Sequence, residues 1–197
     1  MHGRTDHELF TRHPDNPILS VRNWPYRANS VFNAAAAEGD GKTLLLVRVE
    51  DFRGHSHLTV ARSEDSFSDW DIQLVPTLES NASRHPEDLW AMEDPRMTWL
   101  DGMEKWAACY TDYSKGGPLV AVAITTDFKR SSRLGPVMPP EDKGATLFPR
   151  PLQRSLGDTP PARTQVAHVR CPHLAVVLSR SETRGWSHRR HEKMRVC

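Results

Sequence analysis

A short pattern that recurs along the chain constrains its fold most strongly. An apolar strand-like run, a small polar turn and an aromatic residue follow one another at Leu58–Asp65 with Trp70, Val120–Asp127 with Phe128, and Leu174–Ser181 with Trp186. The period is roughly 55 to 60 residues, which suits one four-stranded propeller blade. Three unrelated strand–turn units would also give this pattern, but the constant order of its three parts favours a repeat.

The apolar runs of the chain are short and typical of strands. They are Thr43–Val49, Leu58–Ala61, Met97–Leu100, Trp106–Thr111 and Leu119–Thr125. Turn signals separate them, and Asp101-Gly102 between two runs predicts a hairpin. No long segment has a helical period. The sequence therefore predicts an all-β fold.

Charge and cysteine content exclude several classes of protein. Lys and Arg number 26 and Asp and Glu 25, so the net charge of +1 gives no general reason to bind nucleic acid or an anionic membrane. The three cysteines are widely spaced, which argues against a disulfide framework and a zinc site. The first ten residues are polar, and no run approaches the roughly 18 apolar residues of a membrane span. We expect a cytoplasmic protein.

The most distinctive polar motif is Glu93-Asp94-Pro95-Arg96. Pro95 fixes its own φ and biases Asp94 towards an extended conformation. The motif therefore predicts a stiff loop that leads into the strand Met97–Leu100 and holds charged groups in fixed directions. An enzyme pocket uses such a loop, and so does an ordinary surface turn.

Two other clusters contain candidate binding residues. Arg48 and Glu50 share one face at the end of a predicted strand, where they could grip sugar hydroxyls. Their bare spacing favours a plain surface ion pair. Lys143 and Arg150 flank a proline-stiffened loop and could both face an anion, although a rigid connection between blades would look the same.

The histidines do not form a metal signature. His55 and His57 lie two residues apart, but a third ligand at a usual spacing is absent. We expect no metal and no cofactor.

Taken in chain order, the motifs resemble those of a known family. The segments are Asn16–Leu19, Phe32-Asn33, Leu46–Glu50, Val60–Ser63, Glu93–Arg96, Tyr110-Thr111 with Tyr113-Ser114, and Pro140–Lys143 to Leu147–Arg150. Over about residues 14–150 the series resembles glycoside hydrolase family 130, the β-mannoside phosphorylases and related mannosidases. The resemblance implies a five-bladed β-propeller with a central sugar pocket, of which this chain would contain about three blades.

The resemblance also implies the reaction. In that family inorganic phosphate cleaves a β-mannosidic bond with inversion and gives α-mannose 1-phosphate, so phosphate is a co-substrate. Asp94 matches the general acid, which is thought to act through a sugar hydroxyl that relays the proton. Because the acid must be protonated at the moment of transfer, we expect like-charge repulsion from Glu93 to raise the pKa of Asp94, with Arg96 opposing that shift.

The same resemblance assigns binding roles to other residues. The candidates for holding the substrate are Asn33, Arg48, Glu50 and Glu93. The candidates for holding phosphate are Arg150, which is the best match, and Lys143. At Asn33 the chain departs from the family pattern, because the alanines Ala34–Ala37 follow it where Pro or Gly is usual.

Composition changes after residue 150. Residues 1–150 are predicted to hold the N-terminal propeller blades with the sugar-site motifs, and residues 151–197 a divergent remnant of the third repeat and a basic tail. Leu152–Thr164 has the composition of a linker. For Arg184–Arg195 a solvated or disordered tail is favoured over a nucleic-acid patch.

Two other functions stay open beside the phosphorylase. One is a hydrolase of the same fold, which uses water in place of phosphate. The other is a sugar-binding propeller fragment without activity. The expected partners are a small β-mannoside and phosphate, with a homo-oligomer as an option and neither nucleic acid nor a membrane.

Overall fold

A computed structural model describes residues 11–138, 140 and 142–149, together with the backbone of residues 164–168 and 175–179. Arg150, the basic tail and most of the expected linker lie outside these residues.

Antiparallel strands make up nearly all of the regular structure. The first sheet contains β1 Ser30–Gly39, β2 Lys42–Glu50, β3 Ser56–Ser63 and β4 Asp71–Ile72. The second contains β5 Met92–Leu100, β6 Lys105–Ser114, β7 Gly117–Thr125 and β8 Ser131–Pro136, and the third β9 Ala145–Leu147, β10 Thr164–His168 and β11 Ala175–Ser179. Within the described residues the helical structure is one 3₁₀ turn, Pro86–Asp88, so the all-β prediction is confirmed. In this part of the chain no helix has the length and apolar character to cross a membrane.

The first two sheets have the architecture of propeller blades. In each, the spatial order of the strands equals their order in the chain, and every strand is antiparallel to the next. Strand β5 contacts both β1 and β9, so the first strands of the three sheets lie side by side. We call β1, β5 and β9 the inner strands. Their side chains on the side that the three strands share face one another.

The apolar runs found in the sequence lie inside β2, β3, β5, β6 and β7, and Asp101-Gly102 lies in the β5–β6 turn, as predicted. Strand β1 was not predicted. Its alanines Ala34–Ala37 carry little strand preference of their own, because alanine is depleted in sheets. Three of them pair with Leu44–Leu46 of β2, so cross-strand pairing decides their conformation.

The polar turns of the first two repeats are built alike. Ser63 and Thr125 each accept, through the side-chain oxygen, the backbone N–H three residues further on, at 3.1 and 2.9 Å. Asp65 and Asp127 each accept the backbone N–H groups two and three residues further on. Such side chains replace backbone partners in tight turns. The repeat is therefore confirmed for its first two copies.

The third repeat differs from the other two in its place in the sheet. Its strand forms β11, and the order of the third sheet is β10-β11-β9. Strand β11 thus pairs directly with the inner strand β9, whereas the first two copies are the third strands, β3 and β7, of their sheets. The turn that follows Ser179 and the aromatic Trp186 lie outside the described residues.

The main core lies between the first two sheets. Leu46, Leu58 and Val60 from the first sheet cluster with Met92 and Tyr110 from the second, and all five are buried. Burying one aliphatic side chain of this size stabilises the fold by about 1.5–3 kcal/mol. This packing holds β1, which carries Asn33, against β5, which carries Glu93 and Asp94.

Candidate active site

Two β-bulges bring the candidate residues of neighbouring blades together. The β1–β2 register shifts between Phe32 and Ala35, and the β5–β6 register shifts between Glu93 and Arg96. Asn33 and Asp94, within the two bulges, have φ angles of 47° and 48°. Asn and Asp reach this left-handed region more easily than other residues with a side chain. The same local geometry therefore recurs on two adjacent inner strands.

The conformation of the Glu93–Arg96 motif differs from the prediction. The motif lies inside β5 and not in a loop before it, and Asp94 is left-handed and not extended. Pro95 has no N–H for the strand ladder, and a bulge accommodates such a residue. The pairing with β6 resumes at Arg96. Pairing with β6 at Glu93 and again at Arg96 therefore supplies the predicted stiffness.

Asn33 and Asp94 join the two blades directly. Asn33 Nδ2 donates a hydrogen bond of 2.8 Å to Asp94 Oδ1. Arg48 Nη1 donates to the same oxygen at 3.2 Å. Asp94 Oδ2 accepts no hydrogen bond from the residues that the structure describes, so this oxygen is available to a ligand.

Arg48 is held on four sides. Its Nη2 lies 2.5 Å from Glu93 Oε1, and its Nε donates to Ser56 Oγ at 2.9 Å. The guanidinium carbon lies 4.5 Å from the centre of the Phe32 ring, within cation–π range. The Arg48 side chain is only 12% exposed. Its planar fork therefore faces the carboxylates of Glu93 and Asp94 in one orientation.

The prediction of a surface ion pair between Arg48 and Glu50 is wrong. Arg48 bridges to the next blade, while Glu50 Oε1 accepts from Asn29 Nδ2 at 2.8 Å and from Ser30 Oγ at 3.5 Å. Glu50 still acts on the site, because its charge contributes to raising the pKa of Glu93.

Lys143 reaches the same region from the segment before β9. Its Nζ donates to Tyr113 Oη and lies 4.6 Å from the centre of that ring. Its charge also acts to lower the pKa of Glu93. The other expected phosphate ligand, Arg150, lies outside the described residues.

The two adjacent carboxylates have opposite pKa shifts. Burial raises the pKa of Glu93, and the charges of Arg48 and Lys143 offset only part of the rise. Burial also acts to raise the pKa of Asp94, but hydrogen bonds from Asn33 and Arg48 and the charges of Arg48 and Arg96 outweigh it. The net pKa of Asp94 is therefore lowered. The expectation of a raised pKa is wrong, because donors to the charged form and the neighbouring cations outweigh the effect of burial.

A cleft of about 440 Å³ opens beside Asp94 between the inner strands. The residues that line it are Asn33, Ala34, Ala35, Ala36, Asp94, Arg96, Met97 and Thr146. The small alanines leave space next to the carboxylate, and Thr146 comes from β9, so all three sheets contribute. An acidic group, a cation and amide and hydroxyl groups around one cleft can bind and activate a polyhydroxylated ligand.

Two residues of the site, Ser56 and Thr146, were not predicted from the sequence. Ser56 is 2% exposed and anchors Arg48, but a serine at the start of a strand gives no signal of that role. Thr146 is recognised only from its place in the wall of the cleft. The described residues hold no group of three or more possible ligands for a metal ion. His57 instead hydrogen-bonds Tyr26 Oη at 2.9 Å.

Comparison with known proteins identifies the fold. No protein-family model matches the sequence. No curated protein matches it either. Among solved structures, a β-1,2-mannobiose phosphorylase from Listeria innocua in complex with β-1,2-mannobiose is similar with a TM-score of 0.59 and 19% identity, over 75% of this chain and 60% of that one.

Two further structures are similar. One comes from work on the GH130 family of mannoside phosphorylases, which contains glycoside hydrolases that target β-1,2-mannosidic linkages in Candida mannan. This structure has a TM-score of 0.58 and 22% identity, over 69% of this chain and 45% of that one. The other is a glycosyl hydrolase from Bacteroides ovatus, with a TM-score of 0.53 at 24% identity, over 59% of this chain and 37% of that one. The chain thus spans between about a third and three fifths of these proteins, and it contains part of a β-propeller of the glycosidase type.

Proposed function

We propose that this chain carries part of the active site of a carbohydrate-active enzyme that cleaves β-mannosides by inverting phosphorolysis, with Asp94 as the general acid. The observation that carries the proposal is the convergence of Asn33, Arg48, Glu93 and Asp94 beside one cleft. The motif resemblance to family 130 and the shared fold with a structure that holds β-1,2-mannobiose support the choice of a mannoside.

Each residue has a role that its chemistry fits. The Asn33 amide and the Arg48 guanidinium donate hydrogen bonds and would hold sugar hydroxyls, with Glu50 and Glu93 as acceptors around them. Asp94 Oδ2 would receive the hydroxyl that relays the proton. Lys143, whose charge acts on Glu93, is together with Arg150 the proposed holder of phosphate.

A phosphate oxygen attacks the anomeric carbon from the face opposite the leaving group, and the glycosidic C–O bond breaks with inversion. The proton of Asp94 passes through the relaying hydroxyl to the leaving oxygen. The proton that hydrogen phosphate carried returns to Asp94 after transfer. The products are α-mannose 1-phosphate and a free sugar, and no second protein carboxylate acts as base.

The lowered pKa of Asp94 predicts a specific pH dependence. Donors from Asn33 and Arg48 keep Asp94 ionised in the free protein, so its protonation has to accompany substrate binding. A sugar in the cleft excludes water and engages those donors, and both effects raise the pKa of the carboxyl group. We expect the alkaline limb of kcat to lie at higher pH than that of kcat/KM, because the two report the bound and the free enzyme. Coincident limbs would contradict this account.

The function is tested by incubating the protein with β-1,2- and β-1,4-mannobiose, with and without inorganic phosphate, and measuring mannose 1-phosphate and free mannose. Phosphate-dependent release of mannose 1-phosphate is the expected result. Equal release of mannose without phosphate would replace phosphorolysis by hydrolysis. Saturable mannobiose binding without turnover, unchanged in Asp94→Asn, would replace the enzyme by a sugar-binding protein.

A further inference from the structure

A buried acid cluster lies beneath the start of β5, apart from the cleft. It consists of Asp88 in the 3₁₀ turn, Asp112 in β6 and Arg133 in β8. Asp88 is 1% exposed and Asp112 0% exposed, so both carboxyl groups are removed from water. None of these residues enters the proposed reaction.

Of the four carboxyl oxygens of Asp88 and Asp112, one accepts hydrogen bonds from the described residues. Arg133 donates through Nη1 to Asp88 Oδ2 and through Nη2 to the backbone oxygen of Glu79, and the Asn81 N–H donates to the same Asp88 oxygen at 3.0 Å. Asp88 Oδ1 and both carboxyl oxygens of Asp112 have no hydrogen-bond partner among the described residues. Among the described residues the one ion pair of these carboxyl groups is that of Arg133 with Asp88, and the 3₁₀ turn of Asp88 contacts the strand of Asp112. A buried charge without a partner is strongly disfavoured, so the cluster needs one proton.

We propose that Asp112 is protonated and donates its proton to Asp88, and that the resulting neutral cluster is a pH-sensitive clamp that positions the start of β5. The proton supplies the hydrogen bond that the free oxygens lack. Loss of that proton at alkaline pH leaves two buried carboxylates in a cluster with one cation. The clamp is independent of the substrate of the neighbouring site.

The clamp is connected to the site through the β5–β6 ladder. Asp112 is the cross-strand partner of Met92, and Thr111 is the partner of Glu93. Arg133 Nη2 also lies 3.8 Å from Met92 Sδ. Asp88 and Arg133 therefore fix the segment that precedes β5, and Asp112 fixes the residue before Glu93. They are positioning residues for Glu93 and Asp94.

The neighbouring titratable groups favour the protonated form. Burial first, and then the charge of Asp88, raise the pKa of Asp112 from 3.8 to about 9. Arg133 opposes the rise and Glu87 adds to it. Glu87 lies 3.6 Å from His85, and Tyr110 is buried beside the cluster with its own pKa well above the ordinary value. The remaining cross-strand neighbours of Asp112, Met92 and Leu119, do not titrate.

The raised pKa of Asp112 determines how stability changes with pH. Between the ordinary pKa and the raised one, the folded chain binds a proton at Asp112 that the unfolded chain does not. Stability therefore falls as pH rises from about 4 to about 9. Most surface carboxylates with lowered pKa give the opposite trend. Comparing the pH dependence of stability between the wild type and an Asp112 variant therefore separates the effect of the clamp from that of the surface carboxylates.

The test is the midpoint of thermal unfolding between pH 5 and 9 in the wild-type chain and in Asp112→Asn. The asparagine side chain offers Asp88 an N–H that does not titrate. We expect the difference in midpoint to move in favour of Asp112→Asn as pH rises, and Asp71→Asn, at an exposed strand position, to follow the wild type. Parallel curves for wild type and Asp112→Asn would overturn the proposal.

A spectroscopic measurement covers the case in which Asp112→Asn fails to fold. Infrared difference spectra of the wild-type chain with carboxyl-labelled aspartate should show a protonated carboxyl band at pH 7 that disappears above about pH 9. Absence of that band at pH 7 would overturn the proposal without any variant.

Discussion

Arg48→Met should lower the free energy of unfolding by about 3 kcal/mol, because it leaves Glu93 and Asp94 without the cation that joins them. Glu93 is 15% exposed, so water can replace only part of the lost interaction. Methionine keeps the apolar contact with Phe32 but provides no donor for Ser56 Oγ. Urea unfolding followed by tryptophan fluorescence measures the loss.

Two control variants separate this site from ordinary charge removal. Arg53→Met breaks a pair with Asp51 in which the arginine is 78% exposed, and it should cost well under about 1 kcal/mol. Arg48→Lys keeps the charge but not the fork, and we expect an intermediate loss. Equal effects of Arg48→Met and Arg53→Met would contradict the role of Arg48 as the bridge between blades.

Asp94→Asn should reduce turnover of a β-mannoside by about 100- to 10,000-fold if Asp94 is the general acid. Asparagine keeps the oxygen that accepts from Asn33 and Arg48, and it tolerates the left-handed φ of 48°. The variant therefore removes the proton with little change of backbone. Alanine would be a poorer choice, since its Cβ is strained at this φ.

The matched control for that variant is Asp40→Asn. Asp40 is also left-handed, with a φ of 54°, but it lies exposed in the β1–β2 turn. Its replacement should leave turnover within twofold of the wild type. Full activity of Asp94→Asn under conditions in which the wild type turns over would remove Asp94 from the reaction.

Much of the fold can be predicted from local pattern, and the bulges cannot. Short apolar runs and Asp-Gly turn signals predict β2, β3, β6 and β7, because strand alternation and turn chemistry act within a few residues. A bulge depends on the register of a partner strand far along the chain. The same Pro95 that suggests a loop before β5 is accommodated by such a register shift. Propensity alone likewise does not predict strand formation by Ala34–Ala37.

The site shows the same division. Asn33 and Asp94 are 61 positions apart, and only the motif order of a resembled family suggests that they belong to one site. The structure adds two contacts that no motif shows. Ser56 anchors Arg48, and hydrogen bonds from Asn33 and Arg48 lower the pKa of Asp94, which Glu93 was expected to raise. Asp112 interrupts an apolar run and gives no sign of its partners, because Asp88 and Arg133 come from distant segments.

The most direct test of the account is an NMR titration of the isotope-labelled chain with β-1,2-mannobiose, followed at the side-chain amide of Asn33 and the Nε–H of Arg48. We expect saturable shifts of both signals, weakened in Asp94→Asn, and no comparable response to a β-linked glucose disaccharide. Saturable shifts confined to other regions, or no saturable shift at either residue, would contradict a sugar site between the two bulges.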